Sequence, residues 1–370
     1  MSSALFSPFS LGSLTLPNRI VVSPMCQYSA EDGSATAWHR THLATLSQSG
    51  AALMFLEASA VEAIGRISAG DLGLYSDANE HALATILAEV RRHSPIAIGI
   101  QLAHAGRKAS TRVPWDQGGA QLAPDAPGGW QTVSASAVPH LETEHPPVAL
   151  DTAGIARVRE AFVHSARRAA RLGLDAIELH FAHGYLVHEF LSPISNRRTD
   201  AYGGTFEHRI RLALEIFEAV RAVWARPLGV RVSATDWVDG GWDVPQTVQL
   251  ARALRERGCD WIDCSSGGIS PRQKIAIGPG YQLPFARTVR AEAGIPTIGV
   301  GMITEPAQAE AAIRDGVADL VALARAMLWD PRWPWHAAAA LGASVEVSPQ
   351  YLRAVPHGVK GVFIEGPARR

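Results

Sequence analysis

The stretch Ile177-Glu178-Leu179-His180-Phe181-Ala182-His183-Gly184-Tyr185 opens as a strand and closes on a turn crowded with two histidines and a tyrosine. Side chains alternate between the two faces of a strand, so Ile177 and Leu179 share one face while Glu178 and His180 share the other. Gly184 allows a tight turn where the strand runs out, with His183 and Tyr185 beside it. Three side chains of different proton chemistry thus meet at one strand end. A strand that only fills a core does not need them.

Upstream, Ile155, Val158, Phe162, Val163, Ala166 and Ala169 form one apolar face at helical spacing, with Arg157, Glu160, Arg167 and Arg168 elsewhere. That pattern predicts a helix over Ile155–Ala169. The helix–strand alternation extends outward in both directions. Strands are predicted at Arg19–Ser23, Leu53–Ala58, Ile96–Gln101, Ala176–His180, Leu228–Ser233, Trp261–Ser265, Thr297–Gly301 and Leu320–Leu323, with helices between them and one after the last. Alternation of this kind implies a parallel sheet, and eight units are the number that closes a (β/α)8 TIM barrel. An open doubly wound sheet is the competitor, but its usual nucleotide fingerprints, G-x-G-x-x-G after the first strand or a G-K-[ST] loop, are missing. The expected fold is a single α/β barrel domain over residues 1–370. Two segments depart from the alternation: a Gly-, Pro- and Trp-rich excursion at 107–149 after the third strand, of a length typical of lids, and a tail at 342–370 suited to docking on a neighbouring subunit.

Composition agrees with a large buried core: 47% of the 370 residues are hydrophobic and 19% charged, too little charge for disorder. With 34 Lys+Arg against 35 Asp+Glu and no basic run, nothing favours nucleic acid as a partner. Met1 to Phe9 lacks the basic-then-apolar pattern of a secretory signal, and no apolar run reaches the ~18 residues of a spanning helix. Cys26, Cys259 and Cys264 are spaced unlike a zinc or iron–sulfur site. A reduced, soluble, cytoplasmic protein without membrane contact is expected.

Barrel enzymes build their sites at the C-terminal ends of the strands. Those ends carry Pro24 to Tyr28, Glu57-Ala58, Gln101, His104 to Lys108, His180, His183, Tyr185, Arg231, Ser265 to Gly268, Gly299 to Gly301 and Ala324-Arg325. Parity places Gln101 with Gly99, and Arg231 with Gly229 and Ser233, on inward faces. The seventh-strand glycines and Arg325 fall where barrels commonly hold a phosphate. Gln101 can both donate to and accept from a heterocycle, and Arg231 suits negative charge on a reduced ring. The set implies a mononucleotide-like cofactor.

Blander readings stand beside these. A lone H-x-x-H is more often structural than functional, and metal ligation by His180 and His183 would need rim carboxylates that are not apparent, so no metal site is expected. An isolated Cys26 would be a small buried hydrophobe; its place at the first strand end favours function. Cys264 has helix-facing parity. Trp329, Trp333 and Trp335 fit helix packing, and Arg353 would ordinarily be a solvated tail charge.

In order along the chain, Pro17-Asn18-Arg19, Ser23-Pro24-Met25-Cys26-Gln27-Tyr28, Glu57-Ala58-Ser59-Ala60, Gly65-Arg66-Ile67, Gln101 through Lys108, His180-x-x-His183-Gly184-Tyr185 and Asn196-x-Arg198-Thr199-Asp200-x-Tyr202-Gly203-Gly204 lead to Cys264-Ser265-Ser266-Gly267, Gly299 through Ile303 and Pro349 through Arg353. This set resembles the Old Yellow Enzyme family of FMN-dependent ene reductases, in its bacterial cysteine-containing branch. The resemblance implies that Pro24, Met25, Cys26, Ala58, Gln101 and Arg231 surround a non-covalent FMN ring and that Gly301 and Arg325 hold its phosphate. Ser23, Ser265, Gly299 and Ala324 complete the cofactor set. It further implies that His180 and His183 bind the substrate's activating oxygen, Tyr185 supplies a proton, Tyr28 and Cys26 contact substrate, and Arg353 enters a neighbouring subunit's site in a homodimer or homotetramer. The implied reaction reduces activated C=C bonds of unsaturated ketones, aldehydes, imides and nitroalkenes, with NAD(P)H, NADPH ahead of NADH, in ping-pong half-reactions. Ala324 departs from the expected glycine, and Thr111 to Thr132 is longer than in compact relatives. A metal-dependent hydrolase or lyase, or a non-catalytic flavin-binding protein, are the competing functions.

Overall fold

The computed structural model describes residues 3–366. Eight parallel strands close a barrel: β1 (Ile20–Val22), β2 (Leu53–Ala60), β3 (Ala97–Ala103), β4 (Ala176–Phe181), β5 (Leu228–Ser233), β6 (Trp261–Ser265), β7 (Thr297–Gly299) and β8 (Leu320–Leu323), with β8 pairing back onto β1. The barrel expected from the alternation is the fold observed, and β7 ends two residues before its expected end because Gly301 turns the chain out at φ +121°. The principal outer helices are α1 (Ala37–Ser47), α2 (Asp77–His93), α3 (Thr152–Arg171), α4 (Arg211–Arg221), α5 (Val244–Glu256), α6 (Leu283–Ala293), α7 (Pro306–Arg314) and α8 (Trp333–Leu341). Side-chain caps set several starts: Ser76 accepts from Asn79 N–H, Asp151 from Gly154 N–H and Asp243 from Gln246 N–H. The Asp151 cap is why α3 begins three residues before the apolar stripe at Ile155.

Two apolar layers follow from strand parity. Ile98, Ile177, Leu179, Val230 and Cys264 face outward and pack with Phe162 and Phe217 of the helices. Inward, Phe55 and Trp261 fill the barrel with ring centroids 6.0 Å apart, and Leu11 and Leu16 of the N-terminal hairpin Phe9–Leu11/Leu14–Leu16 close its lower end. A Cβ on Gly99 would stand 2.5 Å from Phe55 Cε1, and one on Gly229 2.0 Å from Trp261 Cε2. These inward glycines therefore make room for the two rings. Burying ~150–250 Å² of aromatic surface at ~25 cal/mol per Å² stabilises the fold by roughly 4–6 kcal/mol per ring before entropy.

The excursion has little regular structure beyond 3-10 turns and a two-residue ladder of Val133–Ser134 with Val148–Ala149. Arg107, expected as a rim cation, is instead a clamp: its guanidinium donates to the carbonyls of Val138, Pro139 and Ile269 and ties the excursion to the loop after β6. In the tail, Val345–Val347 pairs in parallel with Phe363–Glu365. Ser348 Oγ donates to Gln48 Oε1 at 2.6 Å and to the His93 carbonyl at 3.0 Å, at the lower end of its own barrel. Trp333 and Trp335 pack as expected, but Trp329 is 90% exposed and stands at the mouth of a cavity rather than in helix packing. No described helix is long and apolar enough to cross a membrane.

Candidate active site

At the top of β4 the two histidines and Tyr185 come together as perpendicular rings. The centroid of His180 lies 5.0 Å from that of His183 and 5.1 Å from that of Tyr185, with interplanar angles of 89° in both pairs. Ala182 N–H donates to His180 Nδ1 at 3.2 Å, which assigns the His180 proton to Nε2. That Nε2 stands 3.3 Å from His183 Nδ1, and His183 Nε2 stands 2.7 Å from Ser265 Oγ. Burial first, and then Arg231 for His180, or His180 and Arg231 for His183, holds both imidazoles well below the usual histidine range. They are neutral hydrogen-bond donors at pH 7. Burial pushes the Tyr185 phenol well above its ordinary value, so it stays protonated.

The turn that carries them is strained and braced. His183 has φ 62° and Gly184 φ 75°, a region that disfavours an ordinary side chain such as histidine. His183 N–H donates to Ser233 Oγ at 2.9 Å. Gly184 N–H donates to His188 Nδ1 at 2.9 Å, and His188 Nε2 stands 2.9 Å from Asp236 Oδ1. Ser192 Oγ and Trp242 N–H occupy the other Asp236 oxygen at 2.6 and 2.7 Å. Although burial opposes it, His188 and the hydrogen bonds from Ser192 and Trp242 keep the Asp236 carboxyl below the usual range. Lys108 Nζ donates to the carbonyls of His183 (2.8 Å) and Gly268 (3.1 Å) and sits 5.1 Å from the Tyr185 ring centroid.

Below this rim lies a polar layer inside the barrel. Strand register sets Gln101 opposite Glu178 and Arg231 opposite Asp263. Gln101 Nε2 donates to Glu178 Oε1 at 2.8 Å, Trp261 Nε1 to Glu178 Oε2 at 3.3 Å, and Arg231 Nε lies 3.5 Å from Asp263 Oδ2. Gln101 thereby spends one of its two amide N–H donors on the protein and keeps the other, with its carbonyl oxygen as an acceptor.

A cavity of about 700 Å³ opens beside β6–β8, lined by Arg231, Ser265, Gly301, Ala324 and Arg325 among others. FMN fits the groups present. Arg231, whose Nε is a buried polar atom without a hydrogen-bond partner, lines this cavity, whereas Ser23, whose Oγ is likewise unpartnered, lines a separate small pocket beside His39 and His42. At Gly301 the φ of +121° and the approach of Gln282 within 3.0 Å of a would-be Cβ leave no room for a side chain. Arg325 is exposed at the cavity wall. Ala324 lines the same wall at φ −107°, outside the left-handed region that favours glycine.

The remaining expected residues are placed as follows. Pro24, Met25, Cys26 and Tyr28 run as an irregular, half-buried segment off β1. A bulge in β2 between Leu56 and Ala58 brings Ala58 opposite Gln101 and turns Glu57 outward, where it stands 3.2 Å from His39 Nε2 and accepts from Gln27 N–H at 3.1 Å. Glu57 thus anchors the Cys26 segment. Burial, then Asp71 and Glu57, pushes the Cys26 thiol well up, so it remains a thiol. Gly299 does not line the cavity; a Cβ there would meet Leu283 Cδ2 at 2.7 Å and Ala318 Cβ at 3.0 Å, so its smallness serves packing. Arg353 is exposed on the tail, beyond Ser348 at the barrel's lower end, and is not brought into its own chain's site.

Sequence reading missed the supporting groups Asp263, His188, Asp236 and Gln282. His188 is signalled only by its i+4 spacing from Gly184, and Asp236 lies outside every strand. Trp115 of the excursion, edge-on to Tyr28 at 5.9 Å, had no periodicity to mark it.

Comparison with known proteins agrees with this fold. The sequence profile of the NADH:flavin oxidoreductase / NADH oxidase family matches residues 4–343. An NADPH dehydrogenase of Geobacillus sp. (strain WCH70) is 46% identical over 355 residues, covering 95% of this chain and 99% of that protein. An NADPH dehydrogenase of Bacillus subtilis (strain 168) is 41% identical over 355 residues, covering 95% of this chain and 99% of its own. The solved structure of morphinone reductase superimposes with a TM-score of 0.75 at 28% identity, covering 94% of this chain and 92% of that one. The chain belongs to the NADH:flavin oxidoreductase / NADH oxidase family, the Old Yellow Enzyme family of FMN-dependent, NAD(P)H-using oxidoreductases.

Proposed function

We propose that this flavoprotein is an ene reductase that takes electrons from NADPH and reduces the activated C=C bond of unsaturated ketones, aldehydes, imides and nitroalkenes. The observation that carries the reading is the perpendicular cluster of His180, His183 and Tyr185 above the Arg231 layer. It joins two neutral imidazoles, His180 with its Nε2–H toward His183 and His183 with its Nε2 against Ser265 Oγ, to one phenol, which suits a substrate that gains negative charge on an oxygen and then needs a proton on carbon.

Bound FMN supplies the hydride-transfer centre, with Gln101, Arg231, Ser23, Gly301 and Arg325 as its holders. His180 Nε2–H now faces His183 Nδ1 at 3.3 Å, a long bond that an incoming carbonyl or nitro oxygen replaces. Preorganised donors of this kind are worth about 3–4 kcal/mol each toward an oxyanion. Tyr185 delivers its proton to the α-carbon; a phenol that stays protonated at neutral pH still transfers to a carbanion. Tyr28 and Trp115 wall the entrance, and the Cys26 thiol presents an uncharged, polarisable group beside the ring. Arg353 of one subunit completes the site of its neighbour, consistent with its exposed place outside its own barrel.

The NADPH dehydrogenase relatives support NADPH as reductant. The test is an anaerobic titration: NADPH bleaches the flavin, and cyclohexenone restores its colour. Bleaching that no enone, imide or nitroalkene reverses overturns the substrate class.

A further inference from the structure

Beneath the flavin-facing rim, the barrel interior holds two acids and one base. Asp263 of β6 lies opposite Arg231 of β5, and Glu178 of β4 lies opposite Gly229, two residues earlier on β5; all three are buried. The other strands add no charge there: β1, β2, β7 and β8 present Val21, Phe55, Ile298 and Ala322, and β3 presents neutral Gln101. Above the layer stands His180, itself held neutral. Asp263 Oδ1 and Arg231 Nε have no hydrogen-bond partner. Two ionised carboxylates against one guanidinium leave an uncompensated charge in a low-dielectric interior, so the set is favoured holding one proton.

We propose that Glu178 and Asp263 form a proton-holding pair near bound FMN that, once it has released its proton at alkaline pH, takes that proton up again when FMN is reduced. Arg231 carries the coupling. Reduction of bound FMN by NADPH, which would lose a hydride to become NADP⁺, would bring two electrons and a negative charge to the group that Arg231 would hold. The guanidinium then answers to a new anion above it, and a solvent proton on the carboxyl pair restores the balance below. Glu178 acts through Gln101 and Arg231 and is a positioning residue. Burial first, and then Asp263, pushes its carboxyl up to about 8, which sets the pH at which the effect begins. The inference rests on FMN lying over Arg231 and is independent of the organic substrate.

The test is the midpoint potential of the FMN-loaded protein from pH 6 to 10, read by spectroelectrochemistry. Each proton per two electrons contributes about 30 mV per pH unit, a tenfold change in equilibrium constant. The expected profile falls by about 30 mV per pH unit below about pH 8 and about 59 above it. Glu178→Gln gives the one-proton line throughout, and Asp263→Asn moves the break to lower pH. A wild-type line of one-proton slope at every pH overturns the proton pair and leaves the flavoprotein reading intact; so does a break that survives Glu178→Gln. The wild-type profile decides alone if Glu178→Gln loses its flavin.

Discussion

Gly184 and Gly268 meet backbone to backbone at the mouth of the barrel: a Cβ on Gly184 would stand 2.1 Å from the Gly268 carbonyl oxygen, and one on Gly268 2.5 Å from the His183 carbonyl carbon. Both have positive φ, 75° and 95°. This contact, with Lys108 bonded to the carbonyls on both sides of it, fixes the β4 turn against the loop after β6. Tyr185 inherits its position from that junction.

Gly184→Ala and Gly268→Ala therefore each cost about 1–2 kcal/mol in backbone strain, and the steric overlap adds to it. Chemical denaturation and FMN retention measure the effect. Wild-type stability in either variant would show that the two loops are free to part.

Asp236→Asn puts an amide where two oxygens now accept from His188, Ser192 and Trp242. One donor is left facing another donor, at about 1–3 kcal/mol, and the His188 brace on Gly184 loosens. The expected outcome is normal flavin reduction by NADPH with a slower enone step, measured as separate half-reactions in stopped flow. Equal slowing of both would assign Asp236 to general stability.

The buried acids give a pH signature. Burial pushes the Glu189 carboxyl up to about 7, whereas an unfolded glutamate titrates near ~4.3. Between these values the folded protein keeps a proton that the unfolded chain has released, so this group's contribution is present below pH ~4 and is lost as pH rises through about 7. Glu189→Gln, which stays neutral, should gain thermal stability relative to wild type as pH rises from 5 to 8. A constant difference across that range would contradict the buried, protonated state.

Phenols imitate the oxyanion and bind through the histidines. His180→Ala or His183→Ala should weaken binding by about 10²-fold or more, the scale of one lost oxyanion donor, in titrations of flavin absorbance. Undiminished affinity in both variants would remove the imidazoles from oxygen binding.

Much of this was legible in sequence because parity and period are local. The strand Ile177 to His180 announced its two faces, and the alternation of eight strands with eight helices led to the barrel and its rim. The supporting layer was not legible for a physical reason: it is made by register between strands. Asp263 gains meaning only opposite Arg231, and Asp236 only beneath His188. Arg107 misled because a cation at a rim position looks the same in sequence whether it meets a ligand or three carbonyls. Gly299 is ambiguous in the same way, since smallness serves a phosphate and a helix contact alike.

The account turns on a division of labour at the top of β4, with the histidines holding an oxygen and Tyr185 giving the proton. The direct measurement is the anaerobic reoxidation of NADPH-reduced Tyr185→Phe by cyclohexenone. The account predicts unchanged flavin reduction and cyclohexenone affinity, with reoxidation slowed by about 10²-fold or more, within the usual range for a lost general acid. Reoxidation at the wild-type rate would contradict it and assign the proton to another donor.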